Sequence, residues 1–294
     1  MLVCYVNCKL CPRECSVDRT AGQRGYCGGG DAALVAKAML HKWEEPVLAG
    51  DGGSGAIFFG GCTLGCRYCQ NRAISQKPVG TPVDAVGLRK MMENLIAQGA
   101  ENIDLVTPTH YLPTILPALE EKLPVPVVYN CGGYEKAETI AKLKGKVDIF
   151  LPDMKYADNR LAKALSGCKD YFPVAAAAIQ EMGSLQTSRM IVTDHNGRCL
   201  YDSLDKNNAA GSYILFPEVM VAMAGNDVFS WRLEGGIMFS HAAMPILSYG
   251  TQIGCVYIME RDAEQGALIQ SLQSNTLTIS LFLVLAVIVF SICF

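Results

Sequence analysis

The chain has 294 residues, of which 50% are hydrophobic, and its formal net charge is -3 at pH 7. This length is enough for one large domain or two ordinary ones with a sizeable buried core. The slightly negative charge gives no electrostatic reason to expect nucleic acid as a partner.

The thirteen cysteines are unevenly distributed, because eight of them lie within the first 69 residues. The sequence begins without a signal peptide, so we expect a reducing compartment. In such a compartment clustered cysteines are more often metal ligands than disulfides. Five further cysteines are scattered singly, and Cys4 is expected to be an ordinary thiol.

From residue 56 to about 170 the pattern alternates strands with helices. A short strand at 56–61 precedes a cysteine loop, and a helix is predicted from Thr81 to Gly99, with Thr81 as its N-cap. The predicted strands that follow are 102–107, 125–130 and 147–151; the predicted helices are 112–121, 135–143, 159–165 and 171–182. This alternation predicts a parallel sheet with right-handed crossovers, whose functional end lies at the carboxyl ends of the strands.

The cysteine loop reads CTLGCRYC and places Cys62, Cys66 and Cys69 directly after the first of these strands. Three thiolates can hold three irons of a [4Fe-4S] cluster and leave the fourth iron open to a small chelating molecule. A zinc site or a buried apolar cluster is the alternative that the spacing alone leaves open.

The loop and its surroundings resemble a known family. CTLGCRYC is similar to the signature of radical S-adenosylmethionine (SAM) enzymes. The stretches CKLCPRECSVDRTAGQRGYC, HKWEEP, GSGAIFFGGC, CQNRAIS, VTPTHY, VYNCGGYE and DIFLPDMKY together resemble homologues of pyruvate formate-lyase activating enzyme over residues 1–183. The resemblance implies a [4Fe-4S] cluster on Cys62, Cys66 and Cys69 that binds SAM and cleaves it reductively to a 5'-deoxyadenosyl radical.

The resemblance also implies roles for residues near the strand ends. Tyr68 would border the adenine of SAM, although an aromatic residue between cysteines can simply belong to the core. Thr109, with neighbouring carbonyls, would receive the SAM amino group. His110 would be a proton carrier or, more commonly for a lone histidine, a hydrogen-bonded structural group.

Three further residues are assigned to SAM in the same way. The Asn130 amide would bond a ribose hydroxyl, unless the segment is only a turn that ends a strand. Asp153 and Lys155 would bind the carboxylate and hydroxyl groups of SAM, and an ordinary surface ion pair is the alternative. No residue is assigned as a catalytic acid, base or nucleophile.

A second cysteine group lies upstream at Cys8, Cys11, Cys15 and Cys27. Four thiolates make a closed ligand set that suits a structural zinc or an auxiliary iron–sulfur cluster, and the spacing does not choose between them. Arg13, Asp18 and Arg19 are expected to brace this segment.

At Ser184 the composition changes. Residues 189–201 predict two strands joined by an Asn196-Gly197 turn, and further strands are predicted at 228–233, 237–245 and 253–260. The stretches IVTDHNGRCLYDS and IGCVYIMERD resemble the small antiparallel sensor domains, of the PAS or Cache kind, of sensor histidine kinases.

The segment 276–294 contains no charged residue and is long enough to span a membrane as a helix; a buried core helix is the alternative. No Lys or Arg follows it in this sequence, so loop charge does not fix its orientation.

The expected organisation is a Cys-rich segment (1–50), an incomplete radical SAM barrel (51–183), a small α+β sensor-like domain (184–275) and a transmembrane helix (276–294). We expect a cytoplasmic catalytic part anchored by that helix. The implied partners are SAM, an electron donor such as flavodoxin or ferredoxin, and a protein substrate. The junction near residue 184 predicts either a tail-anchored fusion or, as the alternative, a chimera of two genes or a gene-prediction artefact. A chimera would be a membrane-anchored sensor or metal-binding protein without turnover.

Overall fold

The structure is a computed structural model, and it describes residues 5–185, 189–204 and 210–293. Cys4 and Phe294, which entered the sequence predictions, lie outside the described residues. The chain divides into two compact units, Met1–Gln186 and Thr187–Phe294.

The first unit is built on a six-stranded sheet in the order β3-β1-β2-β4-β5-β6. Its strands are β1 (Ala33–His41), β2 (Ser54–Phe59), β3 (Thr81–Val83), β4 (Asn102–Val106), β5 (Val127–Cys131) and β6 (Ile149–Pro152). The strands β2, β4, β5 and β6 are parallel, as the alternating pattern predicts. The strand β1 runs antiparallel to both β2 and β3, and neither β1 nor β3 was expected from the sequence.

The first five helices of the first unit lie in the connections between these strands, and the last two follow β6. They are α1 (Pro46–Ala49), α2 (Arg72–Ser75), α3 (Ala85–Ala97), α4 (Leu112–Ala118), α5 (Ala137–Ile140), α6 (Asn159–Ser166) and α7 (Tyr171–Leu185). The predicted helix at 135–143 is interrupted, because a short 3₁₀ turn at Ala141–Leu143 follows α5.

The predicted start of the third helix is wrong. Thr81 does not cap it, because Thr81–Val83 pairs with β1 as a strand. The cap is Asp84, whose carboxylate accepts a hydrogen bond of 2.7 Å from the Gly87 amide. Both Thr and Asp suit an N-cap, so only the pairing of 81–83 with β1 decides the boundary.

The main core lies on one face of the sheet. Odd-numbered residues of β2 and β4, such as Ile57 and Leu105, are fully buried against Leu88 and Met92 of α3. Because side chains alternate across a strand, the even-numbered residues of β2 and β4 point to the opposite face. That second face carries the candidate functional site.

The sheet is open rather than closed into a barrel. In the described part of the first unit, β6 ends the sheet on one side and β3 on the other. The prediction of an α/β fold with parallel strand–helix units is therefore correct, but the described strands do not form a barrel. Closing the sheet would need further strands between β6 and β3.

The second unit contains a five-stranded antiparallel sheet in the order β8-β7-β11-β10-β9. Its elements are β7 (Arg189–Asp194), β8 (Cys199–Asp202), α8 (Pro217–Met223), β9 (Val228–Glu234), β10 (Ile237–Ser248), β11 (Thr251–Asp262) and α9 (Ala263–Cys293). The predicted hairpin is present, and Gly197 has the positive φ (79°) that its turn needs. The helix α8 packs on the sheet around Val219 and Ala222.

The C-terminal helix α9 begins directly after β11 and is longer than the predicted apolar segment. Among the described residues, Gln265–Val284 is one helical stretch long and apolar enough to cross a membrane, and none of it is buried within the chain. The stretch starts upstream of the predicted boundary at Thr276, because the polar first turns still belong to one continuous helix.

Candidate functional site

A cavity of about 530 Å³ lies at the carboxyl ends of the parallel strands. Phe58 of β2, Val106 of β4, Asn130 of β5 and Leu151 of β6 each contribute to its wall. The alternation of the strands brings these side chains to the face opposite the main core. The volume lies within the range of small-molecule sites, which is about 300–1,000 Å³.

The cysteine loop forms one side of this cavity. Cys62, Cys66 and Cys69 all line it, so the structure brings the three predicted ligands to one place. The loop is held against a second apolar cluster that includes Leu64 and Tyr171. The backbone amide of Arg67 also donates a hydrogen bond of 2.9 Å to the Leu165 carbonyl of α6.

Polar hydrogens point at two of the three sulfur atoms. The Leu64 amide lies 3.4 Å from Sγ of Cys62, and the Ser75 hydroxyl lies 3.4 Å from Sγ of Cys69. Burial raises the pKa of the Cys62 thiol to about 11. Amide donors to sulfur favour a thiolate, and a bound metal deprotonates a coordinating thiol outright. The donor set therefore suits thiolate ligation of iron.

Two glycines allow other segments to approach the base of the loop. A Cβ on Gly60 would lie 2.0 Å from the Val79 carbonyl oxygen, and a Cβ on Gly61 would lie 2.3 Å from that of Cys27. Gly61 also has a positive φ of 85°. The sequence GGC thus joins the ligand loop to the N-terminal cysteine segment by direct backbone contact.

Arg13 extends from that N-terminal segment across the ligand loop. Its guanidinium donates hydrogen bonds to the carbonyls of Thr63 (3.0 Å), Leu64 (3.1 Å), Ser166 (2.6 Å) and Gly167 (2.9 Å). A further contact of 3.1 Å reaches Sγ of Cys168, and the guanidinium lies 3.7 Å from the centre of the Tyr26 ring. The sequence predicted that Arg13 braces the N-terminal cysteine segment. The structure shows that its guanidinium contacts the cysteine loop itself.

Four of the predicted SAM-binding residues line the cavity. Tyr68 is 54% exposed and meets Tyr156 edge to face, so it is not a core residue. Asn130 lines the wall, and its Nδ2 donates to Asp104 at 3.4 Å. Asp153 and Lys155 line it as an ion pair with each other. Their roles toward SAM stay predictions.

The predicted residue Thr109 lies in the interior. Its hydroxyl donates to Glu135 (2.6 Å) and accepts from the Tyr129 hydroxyl (3.1 Å), and its side chain is buried. Burial raises the pKa of Glu135 to about 8, which keeps that carboxyl protonated at neutral pH. Thr107, two residues earlier, lines the cavity instead and has a positive φ of 60°. A non-glycine residue in this conformation is strained, and no sequence pattern indicated it.

His110 is also buried. Its Nε2 lies 2.9 Å from the Gly60 carbonyl, and desolvation lowers the pKa of the ring to about 4. The carbonyl of His110 accepts from the buried Arg19 at 2.6 Å. A neutral, buried imidazole whose Nε2 is hydrogen-bonded to a backbone carbonyl fits the structural alternative better than a proton carrier.

Cys62, Cys66 and Cys69 can be compared with the ligand geometry of a single zinc ion and with that of a [4Fe-4S] cluster. Within the described ranges, no three His, Cys, Asp or Glu side chains are arranged to hold a metal ion. One zinc ion needs all its sulfur ligands at about 2.3 Å from one point. In a [4Fe-4S] cluster each thiolate binds a different iron, so the sulfurs stand farther apart. The three cysteines around one cavity fit the cluster better than a single ion.

The N-terminal cysteines are less clearly a metal site. Cys11 is buried, Cys8, Cys15 and Cys27 are half-buried, and the Tyr26 amide donates to Sγ of Cys15 at 3.3 Å. Among the described side chains, these four cysteines are not arranged to hold a metal ion either. The predicted zinc or auxiliary cluster at these four residues stays a prediction.

Comparison with known families identifies the cofactor class of this region. Residues 48–117 match the model of the 4Fe-4S single cluster domain. The match spans α1 to α4 and contains Cys62, Cys66 and Cys69. It supports a [4Fe-4S] cluster as the cofactor of the first unit, in agreement with the geometry.

The chain is also similar to an uncharacterized protein of Methanocaldococcus jannaschii, with 33% identity over 180 residues. That alignment covers 58% of this chain and 52% of the relative, so the chain spans about half the length of the curated relative it matches. A solved sensor region of a sensor histidine kinase aligns with 26% of this chain and 39% of its own at 16% identity. Its TM-score of 0.22 is too low to establish a common fold, and the sensor-like domain stays a prediction.

Proposed function

We propose that this chain is a radical SAM iron–sulfur enzyme of the glycyl-radical-activase type. The observation that carries the proposal is the position of Cys62, Cys66 and Cys69, which lie inside the matched cluster domain and line one cavity at the strand ends. A [4Fe-4S] cluster held there by three thiolates would leave one iron open to SAM and supply the electron that cleaves its sulfonium bond.

The residues of the chain would position the cosubstrate and keep water away from it. Tyr68 offers a ring at the rim of the cavity for the adenine, and Asn130 offers an amide for the ribose. Asp153 and Lys155 offer one charge of each sign for the carboxylate and hydroxyl groups of SAM. Phe58, Val106 and Leu151 supply apolar wall between these polar groups.

The partners follow from the same chemistry. An electron donor such as flavodoxin or ferredoxin would reduce the cluster, and a protein would supply the hydrogen atom that is removed. The membrane-spanning stretch Gln265–Val284 would hold the chain at a membrane with the catalytic part in the cytoplasm. The electron donor and the protein substrate rest on the family resemblance, and the membrane rests on the length and composition of the helix.

A second candidate is a membrane-anchored sensor or metal-binding protein that does not turn over. The open sheet favours it, because among the described residues no strand follows β6 on that side of the cavity, and Asp153 keeps 58% of its side chain exposed. An incomplete wall weakens the positioning of bound reactants and their protection from water.

Anaerobic reconstitution with iron and sulfide separates the two candidates. The enzyme proposal expects about four irons per chain, an electron paramagnetic resonance signal of the reduced cluster that changes when SAM is added, and release of 5'-deoxyadenosine under a strong reductant. A cluster whose signal does not change when SAM is added, or a colourless protein that binds zinc, contradicts the enzyme proposal and supports the second candidate.

Cys131 provides the matched control, because it is a buried cysteine that contributes to the wall of the same cavity and lies outside the C-x3-C-x2-C pattern. We expect Cys66→Ala to abolish the cluster and Cys131→Ala to keep both the cluster and its response to SAM. If Cys131→Ala loses a coordinated iron, Cys131 is a fourth ligand, and the open iron on which the proposal depends does not exist.

A further inference from the structure

The cavity continues toward the amino ends of the parallel strands, where its chemistry changes. The segment after β1 brings Glu44 and Glu45 to the wall. Because β1 is antiparallel to β2, with His41 opposite Ser54, this segment lies at the amino end of β2. The cysteine loop leaves the other end of β2, so the carboxylates and the thiols occupy opposite ends of one cavity.

Polar side chains also lie in the sheet beneath this acidic end. The parallel register places Ser54 beside Asn102 and Ala56 beside Asp104. Asn102 and Asp104 share the face of β4 on which Val106 lines the cavity. The Asp104 carboxylate accepts from Asn130, which is a wall residue. Asp104 therefore lies directly beneath the cavity wall, on its side of the sheet.

Two atoms of this group, Oγ of Ser54 and Oδ1 of Asn102, lack a hydrogen-bond partner among the described residues. The Asp104 carboxyl is hydrogen-bonded to the Glu44 side chain. Ser54, Asn102 and Asp104 are at most 3% exposed. Nδ2 of Asn102 donates to the Leu48 carbonyl at 2.6 Å, which fixes Oδ1 as the free acceptor. Buried acceptors without a donor are costly, so a ligand that brings several N–H donors is favoured here.

The formal charges at this end are negative, and the His41 imidazole also lines it. Burial, with the nearby Glu44 carboxylate, raises the pKa of Asp104, because two negative charges are unfavourable together in a desolvated place. Among the described wall residues, Lys155 carries the cationic side chain, and it is paired with Asp153 at the strand ends. A cation that entered the acidic end would neutralise it and satisfy the free acceptors.

We propose that the acidic end of the cavity binds the ammonium or guanidinium group of the substrate, with Glu44 and Asp104 as its carboxylate partners and Asn102 and Ser54 as further acceptors. The substrate class is thus a primary amine or guanidine, either as a small molecule or as a lysine or arginine side chain. The reaction of that substrate, but not its binding, rests on the proposed function.

The length of β4 gives the distance from the cation to the reacting carbon. Asp104 and Thr107 are three residues apart, which is roughly 10 Å at about 3.3 Å per residue. The nitrogen would be held near Asp104, while the carbon that loses hydrogen would lie near the strand ends beside the cysteine loop. A carbon several bonds from the nitrogen is therefore the expected position of attack.

Titration calorimetry on the anaerobic, cluster-loaded full chain tests binding without SAM or reductant. The probes are n-pentylamine, agmatine and Nα-acetyl-lysine N-methylamide, with 1-pentanol as the neutral isostere of the first. We expect at least one cationic probe to bind tenfold or more tightly than 1-pentanol. A preference for the lysine derivative indicates a polypeptide substrate, and a preference for the free amines indicates a small molecule.

Variants locate the binding. Asp104→Asn, which keeps the shape of the side chain, is expected to lower the affinity for the preferred cation at least tenfold. Glu44→Gln is expected to lower it at least threefold. Glu121→Gln removes an exposed carboxylate far along the chain from the cavity wall and should change nothing. Equal binding of alcohol and amine by the unmodified chain overturns the proposal without any variant. Unchanged affinity in Glu44→Gln, which alters a loop residue, also overturns it.

The outcome is separable from that of the proposed function. A chain that cleaves SAM but shows no preference for cations refutes this inference alone. A chain that binds amines at Asp104 but never releases 5'-deoxyadenosine refutes the enzyme alone.

Discussion

Replacement of Arg13 by alanine should loosen the cysteine loop more than any other single change in the N-terminal segment. The guanidinium joins three parts of the first unit: its own segment, the loop after β2 and the carboxyl end of α6. A lysine at this position keeps the charge but cannot reproduce a planar fork of donors, so Arg13→Lys should recover only part of the loss.

The magnitude follows from the individual contacts. The hydrogen bonds to Thr63, Leu64 and Ser166 are partly buried, whereas the bond to Gly167 is exposed and Sγ of Cys168 is a weak acceptor. Three partly buried bonds at about 1 kcal/mol each give about 3 kcal/mol. The stacking on Tyr26 adds roughly 0.5–1 kcal/mol at a partly exposed site. We therefore expect a loss of about 3.5–4 kcal/mol in local stability.

Hydrogen–deuterium exchange read by peptide is the appropriate assay, because it separates the first unit from the second. A loss of about 3.5–4 kcal/mol corresponds to roughly 300- to 700-fold faster exchange, since about 1.4 kcal/mol is a factor of ten. The acceleration should be confined to peptides that contain residues 62–69 and 159–168, where the Arg67 amide is bonded to Leu165.

Arg24→Ala is the matched control. Arg24 lies in the same segment, is exposed, and donates to the adjacent Gln23 carbonyl at 3.1 Å. It should leave the exchange of residues 62–69 unchanged. Equal exchange of residues 62–69 in Arg13→Ala and Arg24→Ala would show that the Arg13 guanidinium does not stabilise the cysteine loop. Full protection in Arg13→Lys would show that the planar fork of donors is not needed.

Further predictions concern stability and membrane association. Burial raises the pKa of Glu135 to about 8 from 4.5, so the folded chain keeps a proton that the unfolded chain releases, and the stability of the first unit should fall as the pH rises from about 4.5 to 8. In Glu135→Gln the decrease in the free energy of unfolding between pH 4.5 and 7, measured with urea, should be smaller by on the order of 3 kcal/mol. An equal decrease in the variant and the unmodified chain contradicts this prediction. Asp84→Ala should cost about 1 kcal/mol by removing the cap of α3, while Asp84→Asn should cost little because its side-chain oxygen still accepts from Gly87. Arginines in place of Leu281 and Leu283 should release the full chain from liposomes in a flotation assay, since each charge costs about 3 kcal/mol in a membrane, and an unchanged membrane-bound fraction would exclude a spanning helix.

The sequence predicted the parallel part of the first sheet well, because each strand of β2, β4, β5 and β6 is a short apolar run followed by a turn and a helical pattern. It did not predict β1 or β3. The strand β1 has a mixed burial pattern with exposed positions, so it lacks the clean apolar signal of a buried strand. The strand β3 is three residues long and exists only because β1 is beside it.

The same limit applies to the site. Cys62, Cys66 and Cys69 were predictable because ligand spacing within one loop is a local property. Asp104 and Glu44 were not, since they are far apart in sequence and meet only through the antiparallel return of β1. Arg13 contacts residues as distant as Gly167, and its position gave no sign of that reach. Thr109 followed from the family resemblance, and its burial depends on Glu135, which no local pattern joins to it.

The contact of Gly61 with the Cys27 carbonyl also has an evolutionary consequence. Two peptide segments separated by more than thirty residues share a space that leaves no room for a side chain. The N-terminal segment is therefore unsuited to exchange as an independent module between relatives. A graft that altered the backbone path near Cys27 would displace the ligand loop, so inheritance should preserve both segments as a single block.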